Sequence, residues 1–150
     1  MPRRNRSLGH TDRWEGMDSL KQDLGLKGRG ASGRKPARGD VWFTDLGKRG
    51  VHVQEGTRPC VVVSAGAGIA RVVPITSRTG SEWMKEHVSI TEEDLEDVQP
   101  LEPFSDGIAL AEQVTTVPAD AFRGYMGKIS WESRKMLDLG QALKHALCLR

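Results

Sequence analysis

The chain has 150 residues, a formal charge of +2, and apolar and charged shares of 37% and 28%. That length suits one domain with a real core, and the composition fits a polar extension beside an ordinary folded part. No run approaches the roughly 18 apolar residues of a membrane span, and the N-terminus lacks the apolar core of a signal peptide. Two cysteines, Cys60 and Cys148, are too few and too far apart for a disulfide framework or a metal site, so a reduced, cytoplasmic setting is expected.

The small net charge hides an asymmetry. Through Arg38, ten Lys and Arg stand against four Asp and Glu; the remainder has twelve against sixteen. Residues 1–37 therefore read as a basic N-terminal extension, with tracts at Arg3-Arg4-Asn5-Arg6 and from Gly28 to Arg38 that are too polar and glycine-rich to bury a core. Such an arm suits an anionic partner or plain solvation. Between the tracts, Trp14, Met17, Leu20 and Leu24 recur at spacings of three and four. This predicts a short helix over residues 12–24, capped by Thr11 or Asp12 and ended by Gly25.

The folded body is expected over residues 38–150. Val41-Trp42-Phe43 and Cys60-Val61-Val62-Val63 are β-branched and aromatic runs that predict two strands, with a polar loop between them. Arg58 stands where that loop re-enters the second strand, before the stiff Pro59. An arginine so placed suits a phosphate oxygen, or else an ion pair with Asp45 or Glu112. Ala65-Gly66-Ala67-Gly68 is a turn without the Lys and Ser/Thr of a nucleotide loop. Residues 69–75 predict a third strand, with Pro74 at an edge or bulge. Residues 86–90 predict a short alternating strand, and the acidic run from Glu92 to Glu102 a solvated loop or one helical turn. Residues 107–114 predict a buried strand and 122–129 another extended piece. Ser130 is the expected cap of a final helix whose stripe is Met136, Leu139, Leu143, Ala146 and Leu147. The expected whole is a mostly antiparallel, strongly curved sheet or barrel with one long C-terminal helix.

Four motifs occur in order: Arg38-Gly39-Asp40-Val41-Trp42; Gly56-Thr57-Arg58-Pro59 with Val61-Val62-Val63-Ser64; Pro74-Ile75-Thr76-Ser77; and Glu112-Gln113-Val114. With the closing helix, Leu137 through Leu147, the chain resembles the MazF/PemK toxins over roughly residues 38–149. The resemblance implies a small SH3-like, CcdB/PemK-like barrel that forms a homodimer and cuts single-stranded RNA at short sequences, without a metal or other cofactor. It implies attack by the ribose 2′-OH, leaving a cyclic or opened 3′-phosphate and a 5′-OH. It also implies a cognate antitoxin whose extended acidic segment fills the RNA groove.

Carried over residue by residue, the resemblance makes Arg58 and Thr76 catalytic and Gln113 a base contact. Ser77 and Arg78, and the loop residues Arg49, His52 and Gln54, are candidates for RNA contact. His52 is also a candidate proton acceptor, since histidine is the side chain that most often serves near neutral pH. Trp42 and Phe43 are candidates to stack a base, with one of them expected to fill the barrel. The chain departs from the family at Thr115, where a basic residue is frequent, at Pro118, where an acid is common, and in its long extension. Gyrase-poisoning toxins of the CcdB kind, and non-catalytic nucleic-acid-binding modules, share the architecture. The Arg58/Thr76 pair favours the nuclease.

Overall fold

The computed structural model describes residues 33–149; the helix expected over 12–24 and the rest of the extension through residue 32 lie outside it. The first strand, β1 (Asp40–Asp45), is entered through Gly39, whose φ of +93° favours glycine. A Cβ at Gly39 would also stand 2.5 Å from the Ile129 carbonyl oxygen. Asp40, 2% exposed, then anchors the entry. Its carboxylate accepts from Ala37 N at 2.9 Å, Trp42 Nε1 at 3.2 Å and Arg34 Nη2 at 3.1 Å. The Arg34 guanidinium lies 3.9 Å from the centre of the Tyr125 ring.

A loop leads to β2 (Thr57–Gly66), and a tight turn to β3 (Ile69–Thr76). Next come β4 (His87–Ile90), β5 (Gly107–Leu110), β6 (Thr115–Pro118) and β7 (Phe122–Lys128), closed by the helix α1 (Arg134–Ala146). The order β4-β5-β3-β2-β1-β7 makes one antiparallel sheet, with β6 pairing β3 off that path. β3 changes partners along one edge: Ile69–Val72 face β6, while Ile75 and Thr76 face β5. Pro74 falls in the gap between those partners, where its missing N–H costs no ladder bond.

The mostly antiparallel sheet with a C-terminal helix matches expectation, but the barrel is open. β4 is only four residues long and turns away after Ile90, so among the described residues it does not pair with β7. The segment that follows reaches β7 through the bridge Glu96 with Lys128 and the bond from Gln99 N to Met126 O. Register shifts at Val41/Trp42, Phe43/Thr44 and Val62/Ser64 supply the curvature. Alternation sorts the side chains of β1–β3 into two apolar groups. Val41, Phe43, Val61, Val73 and Ile75 pack with Met136, Leu139 and Ala142 of α1. On the other face, Trp42, Cys60, Val62 and Val72 pack with Phe122 and Tyr125.

Several local expectations are corrected. Residues 107–114 are not one strand: Ala111–Gln113 form a single 3-10 turn that separates β5 from β6. The cap of α1 is Ser133 rather than Ser130, its hydroxyl accepting from Met136 N at 3.4 Å, because Ser130–Ser133 form a preceding turn. Leu147 lies past the helix and is 55% exposed, while Ala142 joins the buried stripe. The acidic run does contain a 3-10 turn at Glu92–Asp94, but Glu102 is buried, its carboxylate occupying the space that a Cβ at Gly124 would need. Trp42 (4% exposed) and Phe43 (0%) are both core, so neither is open to stack a base. Trp42 instead meets Phe122 and Tyr125 edge-on, each at 5.5 Å.

Asp40→Ala would strand the Trp42 and Ala37 N–H groups and remove the carboxylate from Arg34. The expected loss is about 2–3 kcal/mol of unfolding free energy, read by urea denaturation. A change below about 0.5 kcal/mol would show that the Gly-Asp entry is not held this way.

Candidate active site

β2 lies between β1 and β3, and its register places the site. Thr44 pairs with Arg58 across β1 and β2, and Cys60 with Pro74 across β2 and β3. Continuing the second register by two residues sets Arg58 opposite Thr76. Thr76 in turn faces Ile108 of β5. Thr44, Arg58 and Thr76 thus form a polar row across three strands, on the face that carries Trp42, Cys60 and Val62. The row is shielded: Thr44 is 0% exposed, Arg58 3% and Thr76 4%. Gly107 lets β5 come close, since a Cβ there would stand 2.6 Å from the Thr76 carbonyl oxygen.

The surroundings of Arg58 are built by the 46–56 loop. Leu46 N donates to Gly56 O and Gly56 N to Gly47 O, each at 2.9 Å, which closes the loop's base. Arg58 Nε donates to the Glu55 carbonyl at 2.9 Å, fixing the plane of the guanidinium. Glu55 Oε1 accepts from Arg49 N at 2.8 Å and Gly50 N at 3.0 Å. These two N–H groups hold the Glu55 carboxyl below its ordinary value of 4.5. Arg49 Nη1 donates to Gln54 O at 3.3 Å. Of the two carboxylates that the sequence sets against Arg58, Asp45 is bridged by Arg123 at 3.1 Å and Glu112 by His87 at 3.0 Å. Beside Arg58, the Cys60 thiol is pushed up to about 12 by burial, which keeps it an inert core group.

Thr76 opens onto a cleft of about 320 Å³ walled also by Gln54, Arg78, Ser81, His87 and Leu110. Its hydroxyl accepts from Arg78 N at 3.2 Å, a local turn that fixes the side chain. Gln113 Oε1 accepts from Gln54 N at 2.6 Å, so the 3-10 turn after β5 ties down the loop before β2. Gln54 Oε1 is a buried acceptor with no hydrogen-bond partner among the described residues. Among the described residues, no three His, Cys, Asp or Glu side chains stand together to hold a metal ion, and no helix is long and apolar enough to cross a membrane.

Of the residues singled out in the sequence, Thr76, Arg78 and Gln54 meet in this cleft, Gln113 joins them through Gln54, and Arg58 stands in the adjacent strand. Ser77 is half-buried between Thr76 and Arg78. Arg49 belongs to the loop's internal bonding. His52 is exposed at the loop tip with a φ of +68° and does not wall the cleft. Two residues were missed. His87 walls the cleft with 6% of its side chain exposed, Nε2 lying 3.0 Å from Glu112 Oε2 and Nδ1 2.9 Å from Ser81 Oγ. Nothing in the order of residues joins positions 87 and 112; the Leu110–His87 pairing of β5 with β4 does. Glu55 is the other, concealed because its role is toward backbone.

Residues 37–147 match a family model described as PemK-like, MazF-like toxin of type II toxin-antitoxin system, a span that takes in all the strands and the α-helix of the described residues. Among solved structures, MazF from Deinococcus radiodurans is similar at 17% identity and a TM-score of 0.59, covering 77% of this chain and 99% of that one. An endoribonuclease from Mycobacterial species is similar at 22% identity and a TM-score of 0.54, covering 77% and 94%. An endoribonuclease in complex with its cognate antitoxin, also from Mycobacterial species, gives 24% and 0.55, covering 77% and 97%. At these identities the likeness is one of fold. No curated protein matches the chain.

Because the Glu55 carboxyl is held low, its contribution to the folded loop is complete above 4.5, its ordinary value, and is lost as pH falls through the depressed folded value. The Arg49 and Gly50 amide NMR shifts are therefore expected to titrate with a midpoint below 4.5. A midpoint at or above 4.5 would contradict this bonding.

Proposed function

We propose that this chain, which belongs to the PemK-like, MazF-like toxin family of type II toxin-antitoxin systems, is an endoribonuclease that cuts single-stranded RNA at specific short sequences without a metal ion. The observation that supports this reading is that Thr76 of β3 walls an open cleft while Arg58 lies on the neighbouring strand β2, two residues before the Cys60–Pro74 pair. The mycobacterial and Deinococcus relatives, described as an endoribonuclease and as MazF, support the same activity here.

In the reaction, the ribose 2′-oxygen attacks the adjacent phosphorus and the bond to the 5′-oxygen breaks. The 2′-OH loses its proton, the departing 5′-oxygen gains one, and a 2′,3′-cyclic phosphate remains. Negative charge builds on the non-bridging oxygens. Arg58 stabilises that charge, since a shielded guanidinium held by the Glu55 carbonyl is preorganised and almost never neutral. Thr76 donates a hydrogen bond to the phosphate or orients the 2′-OH. Gln54, Gln113 and Arg78 bind the flanking nucleotides, the two carboxamides against base edges and Arg78 against a phosphate. Both ring nitrogens of His87 are engaged by Ser81 and Glu112, so its part is to shape the cleft wall rather than to take the proton.

In this reading residues 38–150 form the toxin domain and residues 1–37 a basic extension to it. The chain works in the cytoplasm as a homodimer. The relative solved with its cognate antitoxin supports an antitoxin partner, whose acidic segment would compete with RNA for the cleft.

Purified protein incubated with a long single-stranded RNA in EDTA is expected to cut at discrete sites and leave 5′-OH ends, read by end mapping. Arg58→Ala is expected to lower kcat by about 10²–10³-fold. Thr76→Ala is expected to lower it roughly 10- to 100-fold. Intact RNA with arrested supercoiling would point instead to a gyrase poison, and salt-sensitive binding without cutting to a binding module.

A further inference from the structure

We propose that Glu55 is a positioning residue, whose carboxylate folds the 46–56 loop so that its own carbonyl holds Arg58 in the orientation the reaction needs. The loop needs such a clamp. Gly47, Gly50, Gly56 and His52 all have positive φ, so the loop has high conformational freedom once released. One carboxylate oxygen joins the loop's two arms, taking Arg49 N and Gly50 N of the outgoing arm while belonging to the returning one. The same residue's carbonyl takes Arg58 Nε, so side chain and main chain of Glu55 act on consecutive links of one chain of contacts.

The adjacent residue is held separately. Gln54 N is tied to Gln113 Oε1, and Gln54 walls the Thr76 cleft. Loss of the clamp would therefore loosen the guanidinium while Gln113 keeps the cleft wall in place. Small misplacements of a group that acts on the transition state cost rate more than binding. The kinetic part of this inference rests on the reading of Arg58 as catalytic; the structural part does not.

The test compares Glu55→Ala, Glu55→Gln, Arg58→Ala and the Glu55→Ala/Arg58→Ala double variant of the full chain. Two readouts are taken: RNA cleavage kinetics and exchange of the Arg58 Nε–H by NMR. Glu55→Ala is expected to lower kcat about 10- to 100-fold while KM stays within about threefold, and Glu55→Gln, which keeps an acceptor for the two amides, to restore most of the loss. In the Arg58→Ala background Glu55→Ala should cost nothing further, because it acts through that arginine. Exchange of the Arg58 Nε–H should be about tenfold faster in Glu55→Ala than in the wild type. Multiplying losses in the double variant, or unchanged Nε–H exchange, would overturn the proposal. If the wild type cuts no RNA, the nuclease reading fails, and the exchange comparison alone decides whether Glu55 positions Arg58.

Discussion

The register of β2 between β1 and β3 is the constraint on which the site depends. In a sheet with side chains alternating between faces, a slip of one residue would turn Arg58 toward the helix-packed core and bring Pro59 into its place. Register is secured by the apolar groups on both faces, since Val41, Val61 and Val73 can reach α1 only when Trp42, Cys60 and Val62 face the other way. The polar row Thr44–Arg58–Thr76 is thus the end of an otherwise apolar face. A cation there is shielded from water yet lies one strand from an open cleft. This is the setting in which a fixed charge acts most strongly on a charge that develops during reaction.

A second constraint is the break in the strand after Leu110. Had residues 107–114 continued as one strand, Glu112 and Gln113 would lie in the ladder along β3. The 3-10 turn at Ala111–Gln113 instead sends Gln113 to the loop before β2 and Glu112 to His87 on β4. One turn therefore joins three segments distant in sequence. The chain makes the break where β3 exchanges one partner for another, so the bend in the sheet and the assembly of the cleft have a common origin.

Much of this was legible in the order of residues. Runs of Val, Ile and aromatic residues marked the strands, the spacing of Met136 and Leu139 marked the helix, and four motifs in sequence marked the family. Arg58 and Thr76 stood out because their motifs match the family's, and both lie at strand ends. What was not legible depended on tertiary neighbours. Ala111-Glu112-Gln113 carries no proline or glycine to announce a break, so continuity with the apolar run before it prevailed. Glu102 ends an acidic run whose other members are exposed or half-buried, and the missing side chain at Gly124 makes room for its carboxylate. Ser130 and Ser133 are both capable caps, and a turn between them decides the matter. Trp42 and Phe43 are equally suited to line a groove until both faces of β1 are known to be covered.

The most direct measurement is the structure of this protein with a single-stranded RNA made uncleavable by a 2′-deoxy sugar at the scissile position. The account predicts that the scissile phosphate sits in the Thr76 cleft, with one non-bridging oxygen about 3 Å from an Arg58 guanidinium nitrogen and the sugar beside the Thr76 hydroxyl. A scissile phosphate bound elsewhere on the surface, with Arg58 still enclosed and out of hydrogen-bond reach, would contradict it.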